Sequence, residues 1–272
     1  MFLAPSAQAA LLSLTATGSS PGDVGFAGVV SLFRTISSSG GGNNGAGGGP
    51  FTVGRREVNW DAAGLDAFQT PGVMPNNFFN NNSKRGLVLQ AGAGGSLLVS
   101  GRPASGSTDL RFSSLNPTYP VAMQSFSADR LFGLANTNMV AGNFFVPAFP
   151  FAVASVSAFG AVFEDVDLDG SSIEAFDENF ISLGTVNVPV ANNGLSFAGV
   201  YTDAGEKIAS IRIIAGTGGL GPNDNPGGGV DMVAMDDFIY SEPQVIPEPS
   251  SAVALLGAFG ALTLRRRRRP AQ

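Results

Sequence analysis

The chain has 272 residues and a formal net charge of −6, and it contains neither cysteine nor histidine. These absences exclude disulfides, thiol nucleophiles and the histidine-dependent catalytic triads, and any bound metal must take oxygen ligands, as Ca²⁺ or Mg²⁺ does. The last 26 residues hold five arginines and one glutamate, so the preceding body keeps 10 basic and 20 acidic residues, a charge of −10. Such an acidic body is a poor partner for nucleic acid, because phosphate contacts need Lys and Arg.

The first ten residues carry Ala7-Gln8-Ala9, which fits the small-x-small cleavage pattern of a secretory signal peptide. A basic n-region and most of the apolar h-region are missing from this stretch. We therefore interpret residues 1–10 as the remnant of a signal peptide, with a chance Ala-x-Ala pattern at a plain N-terminus as the alternative.

Residues 11–50 form an N-terminal segment, with a strand or a short helix expected near 29–35. Residues 37–49 read SSSGGGNNGAGGG. This composition is typical of a flexible low-complexity loop.

Residues 51–243 form the body, and their composition favours short strands and tight turns. The chain has 37 glycines and 21 phenylalanines, together with many Asn, Ser and Val residues. The body shows no sustained helical periodicity. The fold predicted is all-β, an antiparallel β-sandwich of jelly-roll type, with a single C-terminal hydrophobic helix after it. The main strand candidates are 56–61, 86–89, 153–166, 172–176, 195–201, 208–214 and 232–240.

An acidic turn follows the strand candidate at 153–166. Asp165, Asp167, Asp169 and Gly170 match the first half of a calcium loop, in which alternate carboxylates converge on one cation and glycine permits the turn. Position twelve of that loop is Phe176 where a bidentate Glu is needed, so an EF-hand is not expected. A Ca²⁺ site of another type and a solvated acidic turn remain the two interpretations.

Asp236 and Asp237 lie inside a late strand candidate. If that strand is covered on both faces, one carboxylate must be buried and needs a partner. A cation shared with Asp165 or Asp167 would supply the partner, whereas an edge strand would leave both Asp residues in solvent.

The C-terminal segment, residues 244–272, has three parts in a fixed order. Pro247-Glu248-Pro249 comes first, a run without charge (SSAVALLGAFGALTL, 250–264) follows, and Arg265, Arg266, Arg267, Arg268 and Arg269 end it. As a helix the run would be roughly 22 Å long, short for a bilayer core of about 30 Å, but arginine stems can snorkel into the headgroups. The arginines would stop transfer and stay cytoplasmic. A core helix ending in a basic patch is the alternative.

This order resembles the PEP-CTERM sorting signal of Gram-negative bacteria, whose C-terminal segment is also known as an ice-binding protein C-terminal domain. The resemblance implies recognition of Pro247, Glu248 and Pro249 by an exosortase, a membrane-embedded cysteine transpeptidase. It further implies export, a transient tether in the inner membrane by residues 250–264, and release to the cell surface after processing. The body resembles secreted bacterial proteins that carry this tail, in the stretches 56–61, 75–80, 157–163 and 235–240.

The function expected from these features is that of an exported, non-enzymatic surface or matrix protein, structural or adhesive in exopolysaccharide or biofilm. A calcium-supported carbohydrate-binding module is the first alternative, because Trp60, Tyr119, Tyr201 and Tyr240 could stack on sugar rings. A carboxylate-dependent glycoside hydrolase is the weaker one, since no acidic pair stands out.

Overall fold

Two antiparallel sheets make up the fold in the computed structural model, which describes residues 11–246 apart from Ala128 and Ala204. Strands are numbered along the chain. The first sheet has the spatial order β1 (Leu12–Gly18), β11 (Ala191–Tyr201), β8 (Ala158–Val166), β13 (Ala234–Ser241), β5 (Phe132–Ala135) and β4 (Ser96–Val99), with β2 (Arg55–Val58) also paired to β13. The all-β prediction is thus confirmed for the described residues.

The second sheet carries the remaining strands of the described residues. Its spatial order is β10 (Ser182–Asn187), β9 (Ser172–Phe176), β12 (Ser210–Ile214), β6 (Met139–Val146), β7 (Phe149–Ser155) and β14 (Gln244–Val245), with β3 (Leu87–Ala91) also paired to β6. The chain passes from the first sheet to the second between β8 and β9. It returns to the first sheet between β10 and β11, enters the second sheet again between β11 and β12, and returns once more between β12 and β13.

One hydrophobic core is shared by the two sheets. Phe159 of β8 and Phe144 of β6 come from different sheets, and their ring centroids lie 6.2 Å apart. Trp60 stacks on Phe132 at 4.2 Å with an interplanar angle of 7° and meets Phe238 edge-on at 5.0 Å. Edge-on contacts such as that with Phe238 are favoured for aromatic pairs, and each adds about 0.5–1.5 kcal/mol to simple burial.

A 15-residue helix, α1 (Val24–Ser38), covers the outer face of the first sheet. Asp23 caps its N-terminus, where Oδ1 accepts hydrogen bonds from the backbone N–H groups of Gly25 and Phe26 at 3.0 and 3.1 Å. Phe26, Val30 and Phe33 are fully buried, and their spacing places them on one helix face. The sequence predicted a strand or a short helix near 29–35, and the structure has a longer helix there, which begins at Val24.

Coverage by α1 explains why β8 is buried along its whole length. Ala158 and Val162 face the helix, whereas Phe159, Ala161 and Phe163 face the shared core. A strand covered on both sides reads as a continuous apolar run, without polar alternation. The predicted strand 153–166 is two strands, β7 and β8, with Val156 and Ser157 between them.

Short helices and turns complete the described part of the chain. The α-helical turns are α2 (Phe78–Asn81) and α3 (Tyr119–Ala122), and 3-10 turns occur at Ala63–Phe68, Pro103–Ser105 and Pro226–Gly228. The sequence sets segment 11–50 apart from the body. In the structure, this segment contributes strand β1 to the first sheet and helix α1, which covers that sheet.

Candidate functional site

Three carboxylates converge on two of the connections that cross between the sheets. Asp167 directly follows β8, and Asp224 and Asp231 lie in the glycine-rich connection between β12 and β13. One carboxylate oxygen from each residue lies within 4.8 Å of those of the other two. We call these three residues the acidic cluster.

Asp231 is the most constrained member of the acidic cluster. It is fully buried, and its Oδ2 accepts a hydrogen bond from the Leu168 N–H at 3.0 Å. Its backbone N–H donates to Thr217 Oγ1 at 2.9 Å, and its carbonyl accepts from the Thr217 N–H at 2.8 Å. Its Oδ1 is buried and has no hydrogen-bond partner among the described residues, and the same holds for Oδ1 of Asp167.

Electrostatics at the acidic cluster disfavour three ionised carboxylates. Burial is the main cause that raises the pKa of Asp224 and that of Asp231 to about 6, and repulsion from the neighbouring carboxylates adds to it. Burial also raises the pKa of Asp167 above its ordinary value. None of the ion pairs formed between described residues involves the cluster. Within the described part of the chain, the cluster therefore has no ion-pair partner that would balance its charge.

Two further residues of the predicted calcium loop lie beside the acidic cluster. Asp165 is buried at a positive φ of 61°, and its Oδ1 accepts from the Asn193 N–H at 2.7 Å. Burial, together with repulsion from Asp167 and Asp224, raises the pKa of Asp165 to about 6. Asp169 is exposed and is not among the carboxylates that lie within 4.8 Å of one another.

Asp236 and Asp237 lie outside the acidic cluster, and both are buried. A bulge between Met235 and Phe238 turns both carboxylates toward partners within the protein. Asp236 Oδ2 accepts from the backbone N–H groups of Phe126 and Ser127 at 2.7 and 3.1 Å. Asp237 Oδ2 accepts from Arg34 at 2.8 Å. Both carboxylates thus have partners within the protein, and β13 is an inner strand, so the alternative of a solvated edge strand was wrong.

Sequence reasoning missed Asp224 and Asp231. The signal available was the run Pro222-Asn223-Asp224-Asn225-Pro226 followed by three glycines, which marks a tight turn carrying a carboxylate. Nothing in that run tells which other acidic residues it meets, because Asp167 is 57 positions earlier in the chain.

An exposed apolar face occupies the outer side of β7. Phe149, Phe151 and Val153 alternate with less exposed residues, and Phe151 is 95% exposed. Phe151 also lines a depression with the polar residues Asn77, Asn81 and Lys84. We call Phe149, Phe151 and Val153 the β7 face.

The aromatic residues proposed for sugar stacking are placed differently. Trp60, Tyr119 and Tyr240 are buried, and Tyr201 is partly buried against the residues under α1. Their packing leaves no open ring face for a sugar at Trp60 or Tyr240, which contact Phe132 and Phe144.

The sorting residues Pro247, Glu248, Pro249 and Arg265 to Arg269, and the expected C-terminal helix, lie outside the described residues. Within the part that is described, no helix combines the length and the apolar character needed to cross a membrane.

Comparison with known proteins gives little guidance. No family model matches the chain, and neither does any curated protein. Among solved structures, the enzymatically active domain of tailspike protein 4 from bacteriophage CBA120 is similar over 61% of this chain, at 15% identity and a TM-score of 0.30. The similar region spans only 20% of that tailspike chain, and this likeness is too distant to bear on fold or function.

Proposed function

We propose that the protein is an exported, non-enzymatic surface or matrix protein that is sorted through its C-terminal segment. The observation that carries this proposal is the order of Pro247-Glu248-Pro249, an apolar run and five arginines. In this view, the body is a jelly-roll-like sandwich followed by a hydrophobic helix that tethers it to the inner membrane. An exosortase then processes the tail, and the body reaches the exopolysaccharide outside the cell.

The way the chain leaves the body supports access to the sorting motif. The Ile246 N–H donates to the Val153 carbonyl at 3.3 Å, directly after β14, which is the edge strand of the second sheet. Val245 is exposed, and Pro247 begins two residues later. A membrane-embedded enzyme can reach a motif that starts at such an edge without unfolding the core.

Mass spectrometry of the surface-located protein from its host tests the proposal. We expect a mature chain that lacks Arg265 to Arg269. Replacement of Pro247, Glu248 and Pro249 by alanine should leave the tail uncut in the membrane fraction. A matched control replaces the five arginines by lysine, which keeps the positive charge, so this variant should still be processed. An intact tail on the surface-located wild-type protein would refute processing.

Carbohydrate binding is the second candidate function, and the β7 face is the observation that favours it. Phe149 and Phe151 are exposed on a sheet surface, and Phe151 lines a depression together with Asn77, Asn81 and Lys84. Aromatic rings with adjacent hydrogen-bonding groups are suited to sugar rings. A pull-down with insoluble exopolysaccharide should show saturable binding that Phe151→Ala removes. Val121→Ala, at an exposed position of α3, is the control, and a pure scaffold would show no saturable binding.

A further inference from the structure

We infer that Asp167, Asp224 and Asp231 form a binding site for one divalent cation, with a preference for Ca²⁺. The three residues come from two separate chain connections, yet each places a carboxylate oxygen within 4.8 Å of the others. Oxygen ligands on opposite sides of a Ca²⁺ ion are about 4.6–5.2 Å apart, since each bond is about 2.3–2.6 Å long. The three oxygens thus fit within a single coordination sphere.

The buried oxygens of the acidic cluster point to a ligand independently of its acidity. Asp231 is fully buried, and one of its two oxygens has no partner among the described residues. A buried polar atom left without a partner is costly, and a carboxylate oxygen is especially so. Oδ1 of Asp167 is in the same state. Two orphaned oxygens at one cluster are accounted for if both face the same cation.

The choice of Ca²⁺ follows from the ligand chemistry and the setting. All three side chains offer hard oxygen donors, and the chain has no histidine or cysteine for a softer metal. Mg²⁺ demands near-ideal octahedral geometry and gives up its waters reluctantly, whereas Ca²⁺ accepts irregular cages of six to eight oxygens. The carbonyl groups of a glycine-rich connection and water can complete such a cage.

The position of the site gives the cation a structural role. Asp167 lies where the chain crosses from β8 to β9, and the other two lie where it returns from β12 to β13. A cation there joins these two crossings. Because it would bind the folded state and not the unfolded chain, it stabilises the fold by mass action.

Calorimetric titration of the full-length, metal-stripped chain in detergent with CaCl2 tests the inference. We expect one Ca²⁺ per chain and a higher Tm in Ca²⁺ than in EDTA, with a smaller shift in equimolar Mg²⁺. Asp231→Asn and Asp224→Asn should each weaken Ca²⁺ binding at least tenfold. Asp169→Asn, an acidic neighbour outside the cluster, is the matched control and should change the affinity less than twofold.

The same variants in EDTA separate metal binding from a merely structural role. Asn removes a charge that is buried without compensation, so Asp231→Asn should be no less stable than the wild type in EDTA while losing its Tm response to Ca²⁺. Asp224 is only half-buried, so Asp224→Asn should disturb folding less than Asp231→Asn. If Asp231→Asn does not fold, the Ca²⁺ affinity and the Tm of Asp224→Asn test the inference instead. The inference would be overturned by any of three results: a wild-type Tm that does not change with Ca²⁺, a wild-type Ca²⁺ affinity in both Asp231→Asn and Asp224→Asn, or a loss of Ca²⁺ binding only in Asp169→Asn.

Discussion

Buried acidic residues in the described part of the chain differ in how many of their carboxylate oxygens have a hydrogen-bond or ion-pair partner. Asp237 forms an ion pair with Arg34, and Asp236 accepts hydrogen bonds from the backbone N–H groups of Phe126 and Ser127. Glu164 is different: it is fully buried, Oε2 accepts only the Gln124 N–H at 3.2 Å, and Oε1 has no partner among the described residues. Burial, followed by repulsion from Asp236, raises the pKa of Glu164 well above its ordinary value.

The raised pKa of Glu164 predicts a pH-dependent contribution to stability. The folded state keeps this proton to a higher pH than the unfolded chain does. The contribution is therefore complete below the unfolded pKa and is lost as pH rises through the folded one. Glu164→Gln cannot ionise, so the variant should gain stability over the wild type as pH increases.

Urea unfolding in EDTA between pH 4 and pH 8 checks this prediction. Asp236, Asp165 and Arg111 remain as the charged groups that act on the site, and they are common to both proteins. The difference between the two midpoints should widen toward pH 8. Parallel curves would show that Glu164 does not titrate differently in the two states.

At the level of single residues, the sequence indicated part of the candidate site. Asp167 was recognisable because alternate acidic residues before a glycine form a known kind of turn. Asp224 and Asp231 were not, since their proximity to Asp167 depends on how the chain crosses between the sheets. The partners of Asp236 and Asp237 were equally hidden, because a bulge decides where consecutive side chains point.

Among the elements, the glycine-rich loop before β2 contacts a buried arginine. Arg56 is fully buried, and its Nε and Nη2 each lie 2.6 Å from the carboxylate of Glu242. Its Nη1 also donates to the Gly45 carbonyl at 2.7 Å. One side chain thus ties the loop to the segment that follows β13.

Arg56→Met is expected to lower the free energy of unfolding by about 3–5 kcal/mol, because it leaves the Glu242 charge buried and unpaired. Arg212→Met is the matched control, since Arg212 pairs with Glu174 but its side chain is half exposed. That change should cost about 0–1 kcal/mol. Urea unfolding of both variants at pH 7 measures the contrast, and equal losses would contradict a special role for the buried pair.

The contact between α1 and the first sheet depends on two glycines. A Cβ at Gly199 of β11 would lie 2.5 Å from the Phe33 ring, and one at Gly160 of β8 would lie 2.8 Å from it. The helix can approach closely because these positions have no side chain.

Gly199→Ala should therefore destabilise the protein by about 1–3 kcal/mol through overpacking. Gly28→Ala provides the opposite change within α1, where a Cβ has open space. It should stabilise by about 0.5–1 kcal/mol, because glycine is unfavourable inside a helix. Thermal unfolding of both variants in EDTA checks the signs, and a stabilising Gly199→Ala would disprove the close contact.

Strands were predicted better than the helix for a physical reason. Strands β9, β11, β12 and β13 all overlap stretches proposed from β-branched and aromatic residues between turn residues. For α1, the sequence left a strand and a short helix near 29–35 as alternatives, because the buried stripe, Phe26, Val30 and Phe33, stands among glycine, serine and β-branched residues with weak helical preference. The helix forms because its apolar face packs on the first sheet and Asp23 caps its N-terminus, and these contributions outweigh the weak helical preference of the residues.

For the whole molecule, the end of the described chain separates the core from the tail. The shared core extends from Val58 to Tyr240, and the last described backbone hydrogen bond joins Ile246 to Val153. If the tail serves only for sorting, the body must keep its stability after the tail is removed. This requirement follows from the proposed function and can be measured directly.

A chain that ends at Ile246 should have the same urea midpoint as the full-length protein in matched detergent, because it keeps the core, β14 and Glu242. A chain that ends at Ser241 is the control. It lacks Glu242, so Arg56 is left buried without its carboxylate, and a loss of about 3–5 kcal/mol is expected. Tryptophan fluorescence reports unfolding in both, since Trp60 lies in the core. A destabilised chain ending at Ile246 would mean that the tail supports the fold, and sorting alone would not explain its presence.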